Sequence, residues 1–376
     1  MRKANHITRI LLCIAFMAMG NCFAQELFVI YKNHNFGLID KKGKVIVKPK
    51  YDMISDFHEG IALVRDDGLY GYIDTTGKVI IKPKYGHASN FSEGLVNVYI
   101  GDHESGEWFN IDKTEKVLFR FRAFTGFHEG LAGFTIDEKC GYIDKTGTIV
   151  IKPQFDCVGE FVNGHAPVMI RDKDTIKWGF IDKSGKYVIK PQFSSICYFY
   201  EGLLLFEENG KYGYYDTNGD IAVKTQFDKA GYFNEGFAPV LVDGKWGFIN
   251  KKGEMVIKPQ FDEAGAFHES LANIKIGDKW GFINKNGNIV IEPRFYYVFK
   301  FSEELAAAAV LKNNQEYWGF IDKTGNYVIP PKYDMIHNFK DGLAVVYFKE
   351  KEIYYYIDKK GEIVWKGDLS PFFEEY

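Results

Sequence analysis

Short runs of β-branched and aromatic residues, separated by polar turn residues, recur along almost the whole chain. In each period an aromatic-Gly-aromatic-Ile run ends in Asp or Asn, and glycine follows three residues later. A second run, Val-Ile-Lys-Pro, comes next, and a third begins at Phe-x-Glu-Gly-Leu-Ala. Such runs predict β-strands, and the glycine predicts a tight hairpin because it supplies the positive φ that the turn needs. We therefore expect three short strands in each unit.

The number of units follows from the Asp or Asn that ends the first run. It recurs at intervals of 32 to 38 residues, at Asp40, Asp74, Asp112, Asp144, Asp182, Asp216, Asn250, Asn284, Asp322 and Asp358. A unit of about 35 residues cannot bury an apolar face alone and must stack on its neighbours. The sequence thus predicts an all-β protein of ten tandem β-meander repeats spanning residues 25–366.

Length varies at one place in the repeat. The stretch from the Glu-Gly glycine to the next Asp or Asn differs only in even steps, which lengthen a hairpin without turning its side chains to the other face. Longer tips are predicted at Gly101 to Glu107, Arg171 to Lys177 and Lys312 to Tyr317. Because variable loops commonly carry recognition, the candidate partner-binding residues are Asp102, His103, Glu104, Asp172, Lys173, Asn313 and Asn314.

The repeats can be assembled in two ways. They can radiate as propeller blades, in one ring or in two parts, or stack as an open curved β-solenoid. The connection Tyr-Asp-x-x-x-x-Phe decides between them, since a short fourth strand there favours the propeller. The third repeat, in which Glu115 replaces the turn glycine, could mark a seam between two parts.

Three expectations concern single positions in the repeat. The proline of Val-Ile-Lys-Pro should end its strand, because proline cannot donate to a ladder. The glycine beside the aromatic residue should let a neighbouring repeat approach closely. Periodic aromatic residues are interpreted as core rather than as ligand platforms, whereas the non-periodic Tyr99, Tyr296 and Tyr297 remain candidates for ligand contact.

The first 24 residues are typical of a secretory signal peptide, with basic residues before an apolar run from Ile10 to Met19 and a cleavage site before Gln25. Lipidation of Cys22 is the alternative. The mature chain is therefore expected to be secreted and to lie in the periplasm, at the outer membrane or outside the cell, without a transmembrane segment. Residues 367–376 are predicted to be a C-terminal tail.

Charge, cysteine spacing and motifs limit the functions that we expect. A net charge of −3 and a pI of about 6.3 give no basic field for nucleic acid. The cysteines that follow the predicted signal peptide are Cys140, Cys157 and Cys197, and their spacing does not match a zinc site. His58, His128 and His268 share one repeat position and are interpreted as solvated loop residues. No catalytic motif is present, so we expect no cofactor, no metal site and no enzyme activity.

The full repeat resembles the WG-repeat, or KWG-repeat, family of bacterial proteins. The resemblance is carried by Lys245–Gly253 and by the pairs Trp178-Gly179, Trp246-Gly247, Trp280-Gly281 and Trp318-Gly319, which are interpreted as structural residues. It implies an interaction or scaffold role and transfers no functional residues. We expect a non-catalytic scaffold that binds a protein or a cell-surface glycan. The alternative is a carbohydrate-active enzyme on a β-propeller frame.

Overall fold

The computed structural model describes residues 26–101, 106–120, 125–172, 175–194 and 198–368. These residues form 38 strands and a single 3₁₀ turn, Lys349–Lys351. The strands make ten small antiparallel sheets, each of which is one blade of a ten-bladed β-propeller. The all-β, propeller-like prediction is confirmed.

The first five blades contain 18 strands. Their bounds are β1 (Leu27–Lys32), β2 (Asn35–Asp40) and β3 (Val45–Tyr51) in blade one; β4 (Met53–His58), β5 (Ile61–Asp66), β6 (Leu69–Asp74) and β7 (Val79–Tyr85) in blade two; β8 (His87–Ala88), β9 (Leu95–Ile100), β10 (Glu107–Asp112) and β11 (Val117–Phe119) in blade three; β12 (Leu131–Ile136), β13 (Lys139–Asp144) and β14 (Ile149–Phe155) in blade four; β15 (Cys157–Val158), β16 (His165–Asp172), β17 (Thr175–Asp182) and β18 (Tyr187–Phe193) in blade five.

The other five blades each have four strands. Their bounds are β19 (Phe199–Tyr200), β20 (Leu203–Glu208), β21 (Lys211–Asp216) and β22 (Ile221–Phe227) in blade six; β23 (Lys229–Ala230), β24 (Phe237–Val242), β25 (Lys245–Asn250) and β26 (Met255–Phe261) in blade seven; β27 (Glu263–His268), β28 (Leu271–Ile276), β29 (Lys279–Asn284) and β30 (Ile289–Phe295) in blade eight; β31 (Tyr297–Ser302), β32 (Leu305–Lys312), β33 (Gln315–Ile321) and β34 (Tyr327–Tyr333) in blade nine; β35 (Met335–Ile336), β36 (Leu343–Phe348), β37 (Ile353–Asp358) and β38 (Ile363–Asp368) in blade ten.

The connection between repeats supplies the fourth strand. In blade seven the order across the sheet is β23, β24, β25, β26, and β23 comes from the connection. Such inner strands of neighbouring blades contact each other, as β27 and β31 do. Blades diverge outward from the axis of a propeller, so equivalent strands can touch only near that axis.

The ring closes between blades ten and one. The Tyr31 amide donates to the Tyr354 hydroxyl at 2.8 Å, and the Tyr356 hydroxyl donates to the Val29 carbonyl at 2.8 Å. An open solenoid would leave these two end blades apart, so that alternative is wrong.

The third repeat does not mark a seam. Residues of blades three and four, among them Leu95 and Phe134, share one buried cluster. A division into two parts is therefore also wrong, because the apolar packing continues through this interface.

The core lies between blades, as the alternation of side chains predicts. Phe248 points toward blade eight, where its ring lies 5.0 Å from that of Phe267. Its neighbour Ile249 points the other way and packs with Val240 against blade six. Each blade therefore buries both faces of its sheet against its neighbours.

Two expectations about single positions are wrong. The outer strand β26 does not end at Pro259 but runs on to Phe261. Its pairing with β25 is interrupted between Trp246 and Phe248, and the proline lies in this irregularity on an edge strand, where it breaks no ladder.

The glycine of the Trp-Gly pair serves the same irregularity. A Cβ on Gly247 would lie 2.5 Å from the Ile257 carbonyl oxygen and 2.7 Å from the Pro259 nitrogen. The close approach is therefore made by the adjacent strand of the same blade, not by a neighbouring repeat. Gly179, Gly281 and Gly319 show the same contact with their own outer strands.

Candidate binding site on the tip face

The propeller has two faces with different loops. Hairpins that join the second and third strands of the four-stranded blades project at one face, which we call the tip face. Turns that join the first to the second strand, and the third to the fourth, lie at the opposite face, the turn face. All the predicted length variation therefore falls on the tip face.

The longer tips extend in even steps, as predicted. In blade five β16 and β17 stay in register out to the Asp172–Thr175 pair, and in blade nine β32 and β33 do so out to the Lys312–Gln315 pair. No register shift interrupts either hairpin.

The predicted tip residues are placed as follows. Asn313 and Asn314 form a two-residue turn with φ of 52° and 60°, and Asp172 ends β16. Asp102, His103, Glu104 and Lys173 lie outside the described residues. Of the three that the structure describes, Asn314 lines a cleft.

This cleft lies between blades nine and ten and has a volume of about 700 Å³. Its floor is aromatic, because the Phe299 ring stacks on Trp318 with centroids 4.9 Å apart and planes 28° apart. Its rim is polar, with side chains from both blades. The polar lining residues are Asn314, Gln315, Glu316, Asp334, His337 and Lys349.

Phe299 departs from its repeat position. The equivalent residues elsewhere are Ser, Thr, Cys, Gly or His, at Ser55, Ser89, Thr125, Gly159, Cys197, Gly231, Gly265 and His337. A side chain at position 265 would have no space, since a Cβ added to Gly265 would clash with Asn273 Oδ1. Blade nine has the smaller Ala307 in place of that asparagine, which leaves room for the phenyl ring.

The carboxylate of Asp334 is fully engaged at the base of the cleft. Its Oδ1 accepts from Gln315 Nε2 at 3.1 Å, and its Oδ2 accepts from the Lys349 amide at 2.9 Å. Burial lowers the pKa of His337, so this imidazole is neutral at neutral pH. The Glu316 carboxylate and the Asn314 side-chain amide are therefore the groups that could bind a ligand.

A smaller cavity of about 340 Å³ continues from the cleft toward the axis and shares Phe299 with it. Tyr297 lines this cavity together with His268 and Lys300. Burial, and then the charge of Lys300, lower the pKa of His268. One of the non-periodic tyrosines thus lies beside the cleft, whereas Tyr99 packs against Trp108 at 5.2 Å.

Other predicted residues are structural or lie apart. Trp280 is buried, as is Trp318 beneath Phe299 in the cleft, and Trp178 and Trp246 are half-buried. His58, His128 and His268 are half-buried, and a hydrogen bond to Glu160 raises the pKa of His128. Cys140 is a buried free thiol and Cys157 a half-buried one, and Cys197 lies outside the described residues.

The turn face carries a network that the sequence analysis missed. The carboxylate of Glu129, in blade four, accepts from the Gly164 amide at 3.0 Å and from Lys183 Nζ at 2.9 Å, both in blade five. We call this pair of bonds, from one glutamate to an amide and a lysine of the next blade, the glutamate clamp. The same clamp joins other neighbouring blades. Its other members with both bonds are Glu93, Glu201, Glu235, Glu269 and Glu303, and Glu59 makes the amide bond.

A signal for the clamp was present in the sequence. Its glutamates have φ close to 50°, a conformation in which hairpin turns favour Asn, Asp or Gly. A recurring glutamate there, with a recurring lysine after the Asp or Asn of the next repeat, indicates a bond between repeats. Within the described segments, no helix is long and apolar enough to span a membrane, and no group of His, Cys, Asp and Glu side chains could hold a metal ion.

Comparison with known proteins supports the fold. No curated protein matches the sequence. The crystal structure of a eukaryotic initiation factor is 12% identical, covers 91% of this chain and 95% of its own, and has a TM-score of 0.50. Apo AztD from Citrobacter koseri is 12% identical over 84% of this chain and 94% of its own, with a TM-score of 0.36.

The repeat itself identifies the family. The WG containing repeat matches residues 36–70, 70–102, 141–173, 178–212, 212–246, 246–280, 280–315 and 318–351. These matches span most of the ring, and each runs from one blade into the next. The chain therefore belongs to the family of WG-repeat proteins.

Proposed function

We propose that the protein is a secreted, non-catalytic scaffold that binds a cell-surface glycan in the tip-face cleft between blades nine and ten. One observation carries the proposal: an aromatic floor, Phe299 on Trp318, lies next to amide and carboxylate groups on a rim. A pyranose presents an apolar face that packs on aromatic rings, and hydroxyl groups that pair with amides and carboxylates.

A carbohydrate-active enzyme is less well supported. Glycoside hydrolysis commonly uses a pair of free carboxyl groups. In the cleft Asp334 engages both oxygens, Oδ1 with Gln315 of blade nine and Oδ2 with the Lys349 amide of blade ten. Asp262 makes the equivalent backbone bond in blade eight, where it accepts from the Gly277 amide at 2.7 Å. Asp334 therefore belongs to the repeat, which leaves Glu316 as the free carboxylate.

The test is a glycan array with the purified secreted protein, followed by calorimetry with the best glycan. Asn314→Gly combined with Glu316→Gln should weaken binding about tenfold or more, a loss of about 1.4 kcal/mol. Glycine suits the φ of 60° at this turn, so the fold should be kept.

Glu138→Gly is the matched control, because Glu138 has a φ of 63° at the same turn position in blade four and lies outside the cleft. It should bind like the wild type. Equal loss in both variants, or a protein ligand with no glycan signal, would contradict the glycan proposal. Shortened products after incubation with the glycan would favour the enzyme.

A further inference from the structure

The smaller cavity beside the cleft is lined by the innermost segments of three blades. Ala266 and His268 come from β27 of blade eight, residues 297–300 from β31 of blade nine, and Asn338 from the segment that follows β35 in blade ten. Its volume of about 340 Å³ is in the range of small-ligand sites, ~300–1,000 Å³. Because Phe299 lines both the cavity and the cleft, a glycan held in the cleft could reach into the cavity.

Aromatic rings connect the cleft with the cavity. The centroid of the Tyr297 ring lies 5.9 Å from that of Phe299 and 6.1 Å from that of Trp318 in the cleft floor. It also lies 5.2 Å from the ring of Trp280 in blade eight. Tyr297 is 42% exposed, so part of its ring is open to a ligand. Consecutive sugars of an oligosaccharide can therefore pack along one aromatic surface.

The cavity carries a positive charge that no neighbouring carboxylate balances. Lys300 is exposed at its wall. Lys340 of blade ten pairs with Asp56 at 3.5 Å, whereas Lys300 has no ion-pair partner within the described part of the chain. His268 is neutral at neutral pH because its pKa is lowered. Among the described residues no acidic side chain lines this cavity, so Lys300 supplies its one formal charge.

Lysine is unusual at this position of the repeat. The equivalent residues in the other described inner segments are Asp56, Asn90, Gly126, Glu160, Tyr198, Tyr232, Ala266 and Asn338. None of them is basic, and two are acidic. A residue that the blade itself needed would recur, as the clamp glutamates do. The fold therefore does not require a cation at position 300.

Two side-chain amides add neutral hydrogen-bonding groups to the cavity wall. Asn338 Oδ1 is buried and has no hydrogen-bond partner within the described segments. A buried acceptor without a donor costs free energy, and a sugar hydroxyl would supply that donor. Asn273, from β28 of blade eight, lines the same cavity. The cavity thus offers one cation and two amides to a ligand.

The cleft has the opposite balance of charge. Its charged lining residues are Glu316, Asp334 and Lys349, two acidic and one basic. Like charges repel and opposite charges attract, so an anionic group is disfavoured in the cleft and favoured beside Lys300. A ligand that reaches both sites is therefore held in one direction.

Given the glycan function proposed above, we propose that the glycan is acidic and places a carboxylate or sulfate group beside Lys300 in the cavity. A neutral sugar of the same glycan packs on Phe299 and Trp318 in the cleft. Lys300 then determines specificity, because it distinguishes an acidic sugar from a neutral one. The cleft contributes affinity for both.

The test compares an acidic glycan with its neutral form. The acidic glycan that binds best on the array is measured by calorimetry beside its neutral form, made by carboxyl reduction for a carboxylate or by desulfation for a sulfate ester. The wild type should bind the neutral form about tenfold more weakly, because a hydrogen bond to a charged group is lost. Lys300→Gln should bind both forms alike, with the wild-type affinity for the neutral form. Lys300→Arg keeps the charge and should still prefer the acidic form.

Two further variants serve as controls. Lys224→Gln removes the same charge from an exposed position on the outer strand of blade six, away from the cavity, and should discriminate like the wild type. The cleft variant, Asn314→Gly with Glu316→Gln, should bind both forms more weakly and still prefer the acidic one.

The anionic group and the glycan function fail in different ways. If the best glycan is neutral, or if Lys300→Gln still prefers the acidic form, the placement beside Lys300 is overturned and the glycan function stands. If no glycan binds to the wild type, both proposals are overturned.

Discussion

The turn face and the tip face are built from the same repeats but differ in what the repeats keep constant. On the turn face, Glu129 binds an amide and a lysine of the next blade, and equivalent glutamates do so at other interfaces. On the tip face, Asp262 holds the base of the next hairpin through the Gly277 amide, and the hairpin beyond it varies in length and sequence. The same residue recurs from repeat to repeat where neighbouring blades bond to each other. The residues differ between repeats where the hairpins project beyond the sheets.

Geometry explains this difference. The turns that carry the glutamates lie beside the axis, where equivalent residues of neighbouring blades are close enough to share a hydrogen bond. The tips extend away from the sheets, and beyond the aspartate they depend on no neighbour. Binding residues can therefore change on the tip face at little cost in stability.

The largest expected effect comes from removing clamps on the turn face. The triple variant Glu93→Gln, Glu129→Gln, Glu235→Gln weakens the bonds to three neighbouring blades. We expect it to lower the free energy of unfolding by about 3–6 kcal/mol, at about 1–2 kcal/mol for each glutamate. Urea denaturation followed by circular dichroism measures this loss.

A matched triple change on the tip face is the control. Glu138→Gln, Glu208→Gln and Glu316→Gln remove the same charge from exposed hairpins. Exposed substitutions typically change stability by about 0.5 kcal/mol or less each. If the two triple variants were equally stable, the contrast between the faces would be wrong.

Acid should weaken the turn face selectively. Desolvation acts to raise the pKa of Glu129, but the hydrogen bonds from Lys183 and the Gly164 amide outweigh it, and the pKa is lowered. The pKa values of Glu93 and Glu235 are lowered in the same way. A lowered folded pKa gives stability that is present above the unfolded pKa of about 4.3 and is lost as the pH falls through the folded pKa.

The melting temperature of the wild type should therefore fall steeply below about pH 4. The triple turn-face variant lacks these carboxylates, so its melting temperature should change less over the same range. Parallel curves for the two proteins would show that the clamps do not carry the acid sensitivity.

A missing clamp can be restored. Between blades five and six Asn163 replaces the glutamate and Thr217 the lysine, so both partners are absent together. Asn163→Glu with Thr217→Lys should raise the free energy of unfolding by about 1 kcal/mol through a new amide bond and ion pair. The two single variants complete a double-mutant cycle, and a coupling energy of zero would mean that no clamp had formed.

Periodicity made the blades predictable. Strands, hairpin turns and the even extension of the tips follow from alternation and from the glycine at positive φ, which are local properties. The positions of Pro259 and Gly247 were misread because the irregularity between β25 and β26 depends on pairing with a second strand. Local sequence does not show which strand lies alongside.

The cleft was only partly predictable for a related reason. Asn314 was found because the tip length varies, whereas Phe299 and Ala307 belong to two strands whose side chains meet only after the blade has formed. An aromatic residue at a position otherwise held by small or polar residues was the available signal. Comparing each repeat position across all ten units would have identified it.

The smallest expected effect on stability is at the tip of blade nine. Asn314 lies in a turn with φ of 60°, where glycine is unstrained, so Asn314→Gly should change the free energy of unfolding by about 0.5 kcal/mol or less. The same substitution removes an amide from the cleft, so it should contribute to the expected loss of glycan binding. The turn-face triple variant should show the reverse in water at 25 °C, with stability lowered and affinity kept, because the ring retains a large excess of buried apolar contacts. Measuring both quantities on both variants separates the two faces: a variant pair in which stability and affinity fell together would mean that the tip-face cleft depends on the clamps beneath it.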